Sequence, residues 1–431
     1  MCIRDRISGE ASSTAGHLGL GNLVVLYDDN RITIEGETSL AWSEDVGKRY
    51  EAYGWQVAHV DGHDHEQIAG AIDEALADRA RPSLIRCRTH IAHGSPTKQD
   101  TADSHGAPLG GDEVRAAKEA AGWPTEPTFH VPDAVRDLFA GAAGRGRATR
   151  EGWESGFERW RTAHPEAAAA WDAARDREVP AGLAADLIAD APDGKAATRA
   201  HGGKVLQVAA DRLPGLVGGS ADLGPSNKSE IQGASWISAD AFDGRNLHFG
   251  IREHAMGAIV NGMLYHGSFR PYAATFLVFS DYMRPSIRLA ALAGLPAIYV
   301  FTHDSFWVGE DGPTHQPVEH VEALRLIPNL DVWRPADGRE TAAAWGAALE
   351  RTDGPTALIL TRQGVPDVVP DGIAADTFAR GGYRIAGDGS PDAVVLATGS
   401  EVHLALGART ALAERGRDVH VVSVPCVERF H

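Results

Sequence analysis

Short apolar runs recur along this chain, each closing on a polar cluster, with helical stretches between them. LVVLYD (23–28), WQVAHVD (55–61) and PSLIRCRT (82–89) read as buried strands, and EQIAGAIDEALADRA between the last two has helical periodicity. Strand–helix–strand alternation of this kind calls for a parallel sheet covered by helices on both faces. Ligands of such sheets gather at the carboxyl ends of the strands, where this chain keeps its polar clusters. The expected fold class is therefore α/β, with successive parallel-sheet domains.

Residues 115–190 change character, becoming rich in Ala, Arg, Glu and Trp, and read as a helical connector with AAAAWDAARDRE as its clearest helix. A second alternating block follows, with GLVGGSAD, NLHFGI, RPYAATF, PAIYVFTHD, LDVWRPA and PTALILTR as strands. EHAMGAIVNGMLYHG, SDYMRPSIRLAALAG and RETAAAWGAAL are the helices between its later strands. From residue 371, DAVVLATGS, a helix through 414 and DVHVVSVP make one β–α–β unit, too little to close a core alone. The expected domains are 1–185, 186–370 and an incomplete 371–431. ISGEASSTAGHLGLG reads as the interior of a helix leading into the first strand, so both ends of the chain are expected to be cut.

With 43% hydrophobic and 23% charged residues, the 431-residue chain is globular rather than disordered. A net charge of −18 excludes a general affinity for nucleic acid or an anionic membrane, while leaving room for a local basic pocket around a phosphorylated metabolite. Cys2, Cys87 and Cys426 have neither metal-ligand spacing nor a paired framework, which fits a reducing cytoplasm. No apolar run has the length to cross a bilayer, and MCIRDR lacks the apolar segment of a secretory signal.

The polar clusters are individually ambiguous. YDDNRITIEG (27–36) suits an Asx-rich turn as well as a hard-metal site with Asn30 and the Ile32 carbonyl as oxygen ligands. HGAPLG places His105 on a loop, as AHGSPTK does for His93, and loops carry histidines for no special reason. GGSADLGPSN offers small residues whose backbone could approach a ligand. FGIREHAM puts Glu253 in the first turn of a helix, where an acid also complements the helix dipole. Burial against Phe276, Phe279 and Tyr282, three residues apart after a strand, would push that carboxyl the other way. THDSFWVGEDGPTHQP (302–317) concentrates His303, Asp311 and His315 in a glycine- and proline-broken loop, and TRQ puts Arg362 at the end of another strand. Histidines and arginines on one rim suit a phosphorylated, oxygen-rich substrate.

Taken in order, YDDNRITIEG, HGAPLG, GGSADL, FGIREHAM, PYAATFLVFSDYMR, THDS…GEDGPTHQP, RPAD, LTRQ and ATGSEV resemble the transketolase family of thiamine-diphosphate enzymes, from Ile7 to about Pro425. The resemblance implies parallel-sheet domains of the thiamine-diphosphate-binding type, with a truncated third α/β domain. It implies transfer of a two-carbon ketol unit from a ketose phosphate to an aldose phosphate through a thiamine-diphosphate carbanion, as in the pentose phosphate pathway and Calvin cycle. By position, Asn30 and Ile32 would hold Mg2+ (or Ca2+ or Mn2+) at the diphosphate, with His105 nearby. Glu253 would bond the aminopyrimidine, Phe279 would stack on it, and Phe276 and Tyr282 would lie beside it. Asp311 and His315 would contact substrate near the reacting carbons, and Arg199, Ser226, His303 and Arg362 would grip the sugar phosphate. His315 or His303 would move protons at the sugar hydroxyls. The family pattern also implies a homodimer, with cofactor held between the first domain of one chain and the second of its partner.

Four departures stand out. The family's Gly-Asp-Gly metal ligand would fall just before residue 1, MCIRDR is unlike the family's lead-in, and the earlier thiazolium histidines are missing. Phe306 and Trp307 replace an Ile-Gly pair common in the family, and a tryptophan there would be expected to narrow the substrate channel. The expectation for this stretch alone is therefore weak cofactor binding and low activity. A formaldehyde-using transketolase, a deoxyxylulose-phosphate synthase or another thiamine-diphosphate relative is the alternative enzyme, and a short partner subunit, inactive alone, is the alternative without catalysis.

Overall fold

In the computed structural model, which describes residues 5–430, the first apolar runs form a parallel sheet flanked by helices. Its elements are α1 (Asp5–His17), β1 (Val24–Asp29), α2 (Val46–Ala52), β2 (Gln56–Asp61), α3 (His65–Ala77) and β3 (Ser83–Arg88). The order is β1–β3–β2, with Ser83 opposite both Val24 and Gln56. Alternation along β3 sends Leu84 to one face, among Ala15, Val46, Tyr50 and Trp55, and Ile85 and Cys87 to the other, against Ala71 and Ala75 of α3. Asp64 caps α3 by accepting from Glu66 N and Gln67 N, and Trp55 Nε1 ties α1 down through Ser12 O at 2.8 Å. The connector follows as α4 (Gly111–Ala120), α5 (Asp133–Ala163), which buries no residue, and α6 (Pro165–Arg175). The chain forms two compact units, residues 1–168 and 169–431, dividing within α6.

The second unit is built on α7 (Leu183–Ala189), α8 (Thr198–Arg212), β4 (Leu216–Ser220), β5 (Asn246–His248), α9 (Glu253–His266), β6 (Arg270–Phe276), α10 (Ser280–Leu292) and β7 (Ile298–Thr302). It continues through α11 (His320–Arg325), β8 (Asp331–Trp333), α12 (Gly338–Glu350) and β9 (Thr356–Leu360). The six strands are all parallel in the order β8–β9–β7–β6–β4–β5. Every residue of β4, β6, β7, β8 and β9 is buried, the burial expected of a sheet covered on both faces. Ile298, Val300 and Leu358 pack with Leu206, Tyr272 and Trp345; Tyr299, Phe301 and Ile359 pack with Met256, Met283 and Val332 on the other side.

GGS in β4 is reserved for neighbouring strands rather than for a ligand. A Cβ on Gly218 would lie 2.4 Å from Tyr272 O, and one on Gly219 only 1.9 Å from Leu247 O. Gly257 has a similar role, since its Cβ would meet Ser286 Oγ at 2.3 Å where α9 crosses α10.

The last segment adds α13 (Ala375–Ala379), β10 (Tyr383–Ala386), β11 (Ala393–Ala397), α14 (Val402–Ala413) and β12 (Val419–Ser423). The expected β–α–β unit is β11–α14–β12, and β10 joins it antiparallel on the other side of β12. Among the described residues no helix is long and apolar enough to cross a membrane.

A buried carboxyl joins this segment to the six-stranded sheet. Glu340 of α12 accepts from Tyr383 Oη (2.8 Å), Ser423 Oγ (2.5 Å) and Ala336 N (2.7 Å). Burial, and then the charge of Asp337, push its pKa up to about 7. Glu340→Ala strands three donors in a closed site and is expected to lower unfolding free energy by about 2–4 kcal/mol, measured by urea denaturation.

Candidate functional site

Strand register sets the rim of the second unit. Ser220 lies opposite Ala274, Phe276 opposite Thr302, and Thr302 opposite Leu360, so the segments leaving β4, β6, β7 and β9 emerge side by side. Those segments carry Ser226, Phe279, His303 and Arg362. The first turn of α8 is clamped to the exit of β9: Thr198 N donates to Thr361 Oγ1 at 2.9 Å and Thr361 N to Thr198 Oγ1 at 2.7 Å. The clamp brings Arg199 under the field of Arg362, and burial followed by that charge lowers the Arg199 pKa. Arg199 Nη1 donates to Ser226 O at 2.6 Å, so Ser226 enters the cluster through its carbonyl.

His303 stands at the centre. It is 4% exposed, adopts φ +63°, and lays its ring on Phe276 at a centroid distance of 3.7 Å. Its Nδ1 is 2.9 Å from Thr302 Oγ1, which accepts from Asn227 Nδ2 at 2.7 Å. Burial, then Arg199, Arg362 and His315, push its pKa down to about 3. His303 is thus held well below the ordinary histidine range, because a desolvated ring lies beside Arg199 and Arg362.

Phe276, Phe279 and Tyr282 form a staircase of near-parallel rings, with centroids 5.9 and 6.0 Å apart and interplanar angles of 7° and 19°. Phe279 is half-buried, and His315 stands edge-on to it at 5.4 Å. Glu253, 5% exposed, is the first residue of α9, and the next residue, His254, places Nδ1 3.2 Å from Tyr282 O. The GEDGPTHQP loop folds as two 3₁₀ turns, Gly309–Asp311 and Pro313–His315, around Gly312 at φ +77°. Asp311 is exposed on the first turn. Phe306 and Trp307 pack on one another at 5.3 Å and are 64% and 60% exposed.

Arg334 and Asp304, neither singled out for a role by the sequence reading, fix this loop. Arg334 Nη2 donates to the buried Asp304 at 2.8 Å, Nη1 reaches Thr398 O at 3.2 Å, and both terminal nitrogens pair with Glu401. The signal was present in RPAD and ATGSEV, which the sequence presents as motifs without a chemical task.

In the first unit, Asn30 and Ile32 are buried beside a cavity of about 370 Å³ also lined by Trp42 and Arg86. Asn30 Oδ1 accepts from Ile32 N at 3.0 Å, an Asx turn that orients the amide oxygen. Asp29 is committed to Arg86, whose Nε and Nη2 lie 2.8 and 2.7 Å from its Oδ2. His105 is half-buried, and its Nδ1 has no partner among the described residues. Its loop is tied to the one before it by Lys98 Nζ on Leu109 O at 3.0 Å. Ser95 and Thr97 donate to Glu113, and these bonds lower its pKa to about 2. His93 stacks on His63 at 3.9 Å.

Known proteins match this arrangement along the whole chain. Three family models align in order: the transketolase thiamine diphosphate binding domain over residues 1–180, the transketolase pyrimidine binding domain over 194–367, and the transketolase-like C-terminal domain over 381–431. The chain belongs to the transketolase family. It is 48% identical to a transketolase of Geobacillus stearothermophilus and 45% identical to that of Bacillus subtilis, over 99% of its own length and 65% of theirs. It thus spans about two-thirds of the curated relatives it matches. A Pichia stipitis transketolase crystallised with sedoheptulose 7-phosphate superposes with a TM-score of 0.94 at 39% identity, over all of this chain and 64% of the other. A Campylobacter jejuni transketolase gives 0.89 at 39% identity, over 98% of this chain and 64% of the other.

The His303 pKa has a defined sign in stability. Between about pH 3 and 6.5 the unfolded chain binds the proton that folded His303 refuses, so this group's contribution to stability rises with pH across that window and is lost on acidification. Imidazole NMR should show the His303 ring titrating near pH 3, far below the ordinary histidine range. His303→Gln should flatten the acid-side loss of stability.

Proposed function

We propose that the chain is the catalytic part of a transketolase that moves a two-carbon ketol unit from a ketose phosphate to an aldose phosphate. The observation that carries this reading is the convergence of Arg199, His303 and Arg362 beside an aromatic staircase, in a unit that also buries the carboxylate Glu253 at the start of α9. Sedoheptulose 7-phosphate, present in the Pichia stipitis relative, is the substrate type proposed.

The residues fit the cofactor of this family. Phe279 leaves part of its ring open for a flat heterocycle, with Phe276 and Tyr282 beside it, and Glu253 supplies a desolvated acid for a ring nitrogen. Asn30 Oδ1 and the Ile32 carbonyl are oxygen donors suited to Mg2+, next to the first unit's cavity. His105, with its unpartnered Nδ1, would meet the diphosphate end. Thiamine diphosphate, when bound, supplies the nucleophilic carbon and the electron sink that the reaction needs.

The chain's own residues do the rest. Arg199 and Arg362 hold the phosphate, and the N-terminus of α8 adds its dipole. A phosphate dianion offsets the two arginine charges that add to burial in lowering the His303 pKa, so substrate binding raises it. His303, His315 and Asp311 then hold or move protons at sugar hydroxyls. The stacked Phe276 ring excludes water from one side of His303. The working form is a homodimer in which two copies each hold one end of the cofactor. Cys87 and Cys426 are buried and unpaired, in keeping with a reducing cytoplasm.

Two measurements test the reading. By titration calorimetry, Arg362→Leu should weaken sedoheptulose 7-phosphate binding roughly 10- to 100-fold. In ketol transfer with thiamine diphosphate and Mg2+, Glu253→Gln should lower kcat by roughly 100-fold or more while cofactor binding changes little. Unchanged values in both variants would remove the reading.

A further inference from the structure

At the opposite edge of the second unit's sheet, where β4 and β6 begin, lies a cavity of about 440 Å³. Its walls include Val179, Leu213 and Phe269, and three arginines line it: Arg177, Arg212 and Arg270. Their situations differ. Arg212 is paired with Asp186 at 3.1 Å, and Arg177 donates Nη2 to Leu264 O. Arg270, the first residue of β6, is only 5% exposed. Its Nη2 donates to Arg177 O at 2.7 Å, while Nε and Nη1 are buried with no acceptor among the described residues.

Buried guanidinium groups are ordinarily paired, because an uncompensated charge away from water is costly. Burial, and then the like charge of Arg177, lower the Arg270 pKa to about 10, so it remains a cation at neutral pH. Glu178 lines the same cavity as an exposed residue at its edge, and it accepts from neither free Arg270 nitrogen. A buried cation with donors that lack acceptors, in the wall of a cavity that also offers Val179, Leu213 and Phe269, suits an oxyanion attached to an apolar body. Five- and seven-residue strands separate this edge from the rim carrying His303 and Arg362, a distance of roughly 20 Å.

We propose that this cavity is a second ligand site, binding a small organic oxyanion with its head group on Arg270 and its body along Val179, Leu213 and Phe269. The site is separate from the sugar-phosphate rim and stands whether or not the ketol-transfer reading holds.

Benzoate and phenyl phosphate are the probes, titrated calorimetrically into the intact protein. Saturable binding of benzoate identifies a carboxylate ligand, and of phenyl phosphate a phosphate ligand; either supports the site. Arg270→Met should weaken that binding at least tenfold. Ala173→Trp, which fills the cavity from α6 and keeps every arginine, should do the same and remains decisive where Arg270→Met fails to fold. Arg362→Met should leave the cavity binding unchanged. The proposal is overturned by the absence of saturable binding for both probes, by unchanged binding in Ala173→Trp, or by loss of all binding in Arg362→Met.

Discussion

The guanidinium of Arg334 is the tie on which the second unit's site depends. It holds Asp304, the residue after His303, while gripping Glu401 and Thr398 of the last segment. Asp304 is fully desolvated, and burial raises its pKa even with Arg334 beside it. Removing either partner would leave the other buried without compensation, which costs several kcal/mol. The backbone reinforces the tie: Gly399 N donates to Arg334 O at 2.9 Å, and Arg334 N to Pro425 O at 2.7 Å. A Cβ on Gly399, at φ +57°, would collide with Arg334 Cγ at 2.7 Å. The loop bearing His303 is thus held from behind by a segment some hundred residues further along the chain.

Around that tie the charges are arranged by sign. Cations crowd the rim at Arg199 and Arg362 around a neutral His303, whereas the joint at Glu340 and Asp337 is acidic and closed to solvent. The two regions push their titratable groups in opposite directions: His303 is held neutral by burial and positive neighbours, and Glu340 is held protonated toward neutrality by burial and a negative one. The same sheet therefore carries an electropositive rim at its strand ends and an acidic seam under its flank. The overall charge of −18 conceals this division.

Much of the framework was legible because both faces of the strands are buried. Runs such as AIYVF and TALIL declare themselves when every position must be apolar, and the helix start at Glu253 and the three-residue spacing of Phe276, Phe279 and Tyr282 follow from local periodicity. YRIA was not legible as β10, since four residues paired antiparallel at one edge leave no distinctive pattern. The glycines of GGSAD looked available to a ligand, yet their missing side chains make room for Tyr272 and Leu247. The depressed pKa of His303 was beyond reach for a different reason: its causes come from Arg199, Arg362 and His315, which only the fold brings together. Arg270 was invisible too, since a lone arginine opening a strand gives no sign that its donors lack acceptors.

The reciprocal bonds between Thr198 and Thr361 have a consequence for selectivity. Arg199 and Arg362 each sit one residue from this clamp, on a helix and a strand end that cannot drift apart without breaking two buried hydrogen bonds. The spacing of the two backbone anchors is therefore set before any ligand arrives, and little backbone entropy remains to be lost on binding. Such a grip behaves as a fixed caliper. It discriminates by the length and reach of what is placed between its jaws, and only the arginine side chains are left to take up a shorter molecule.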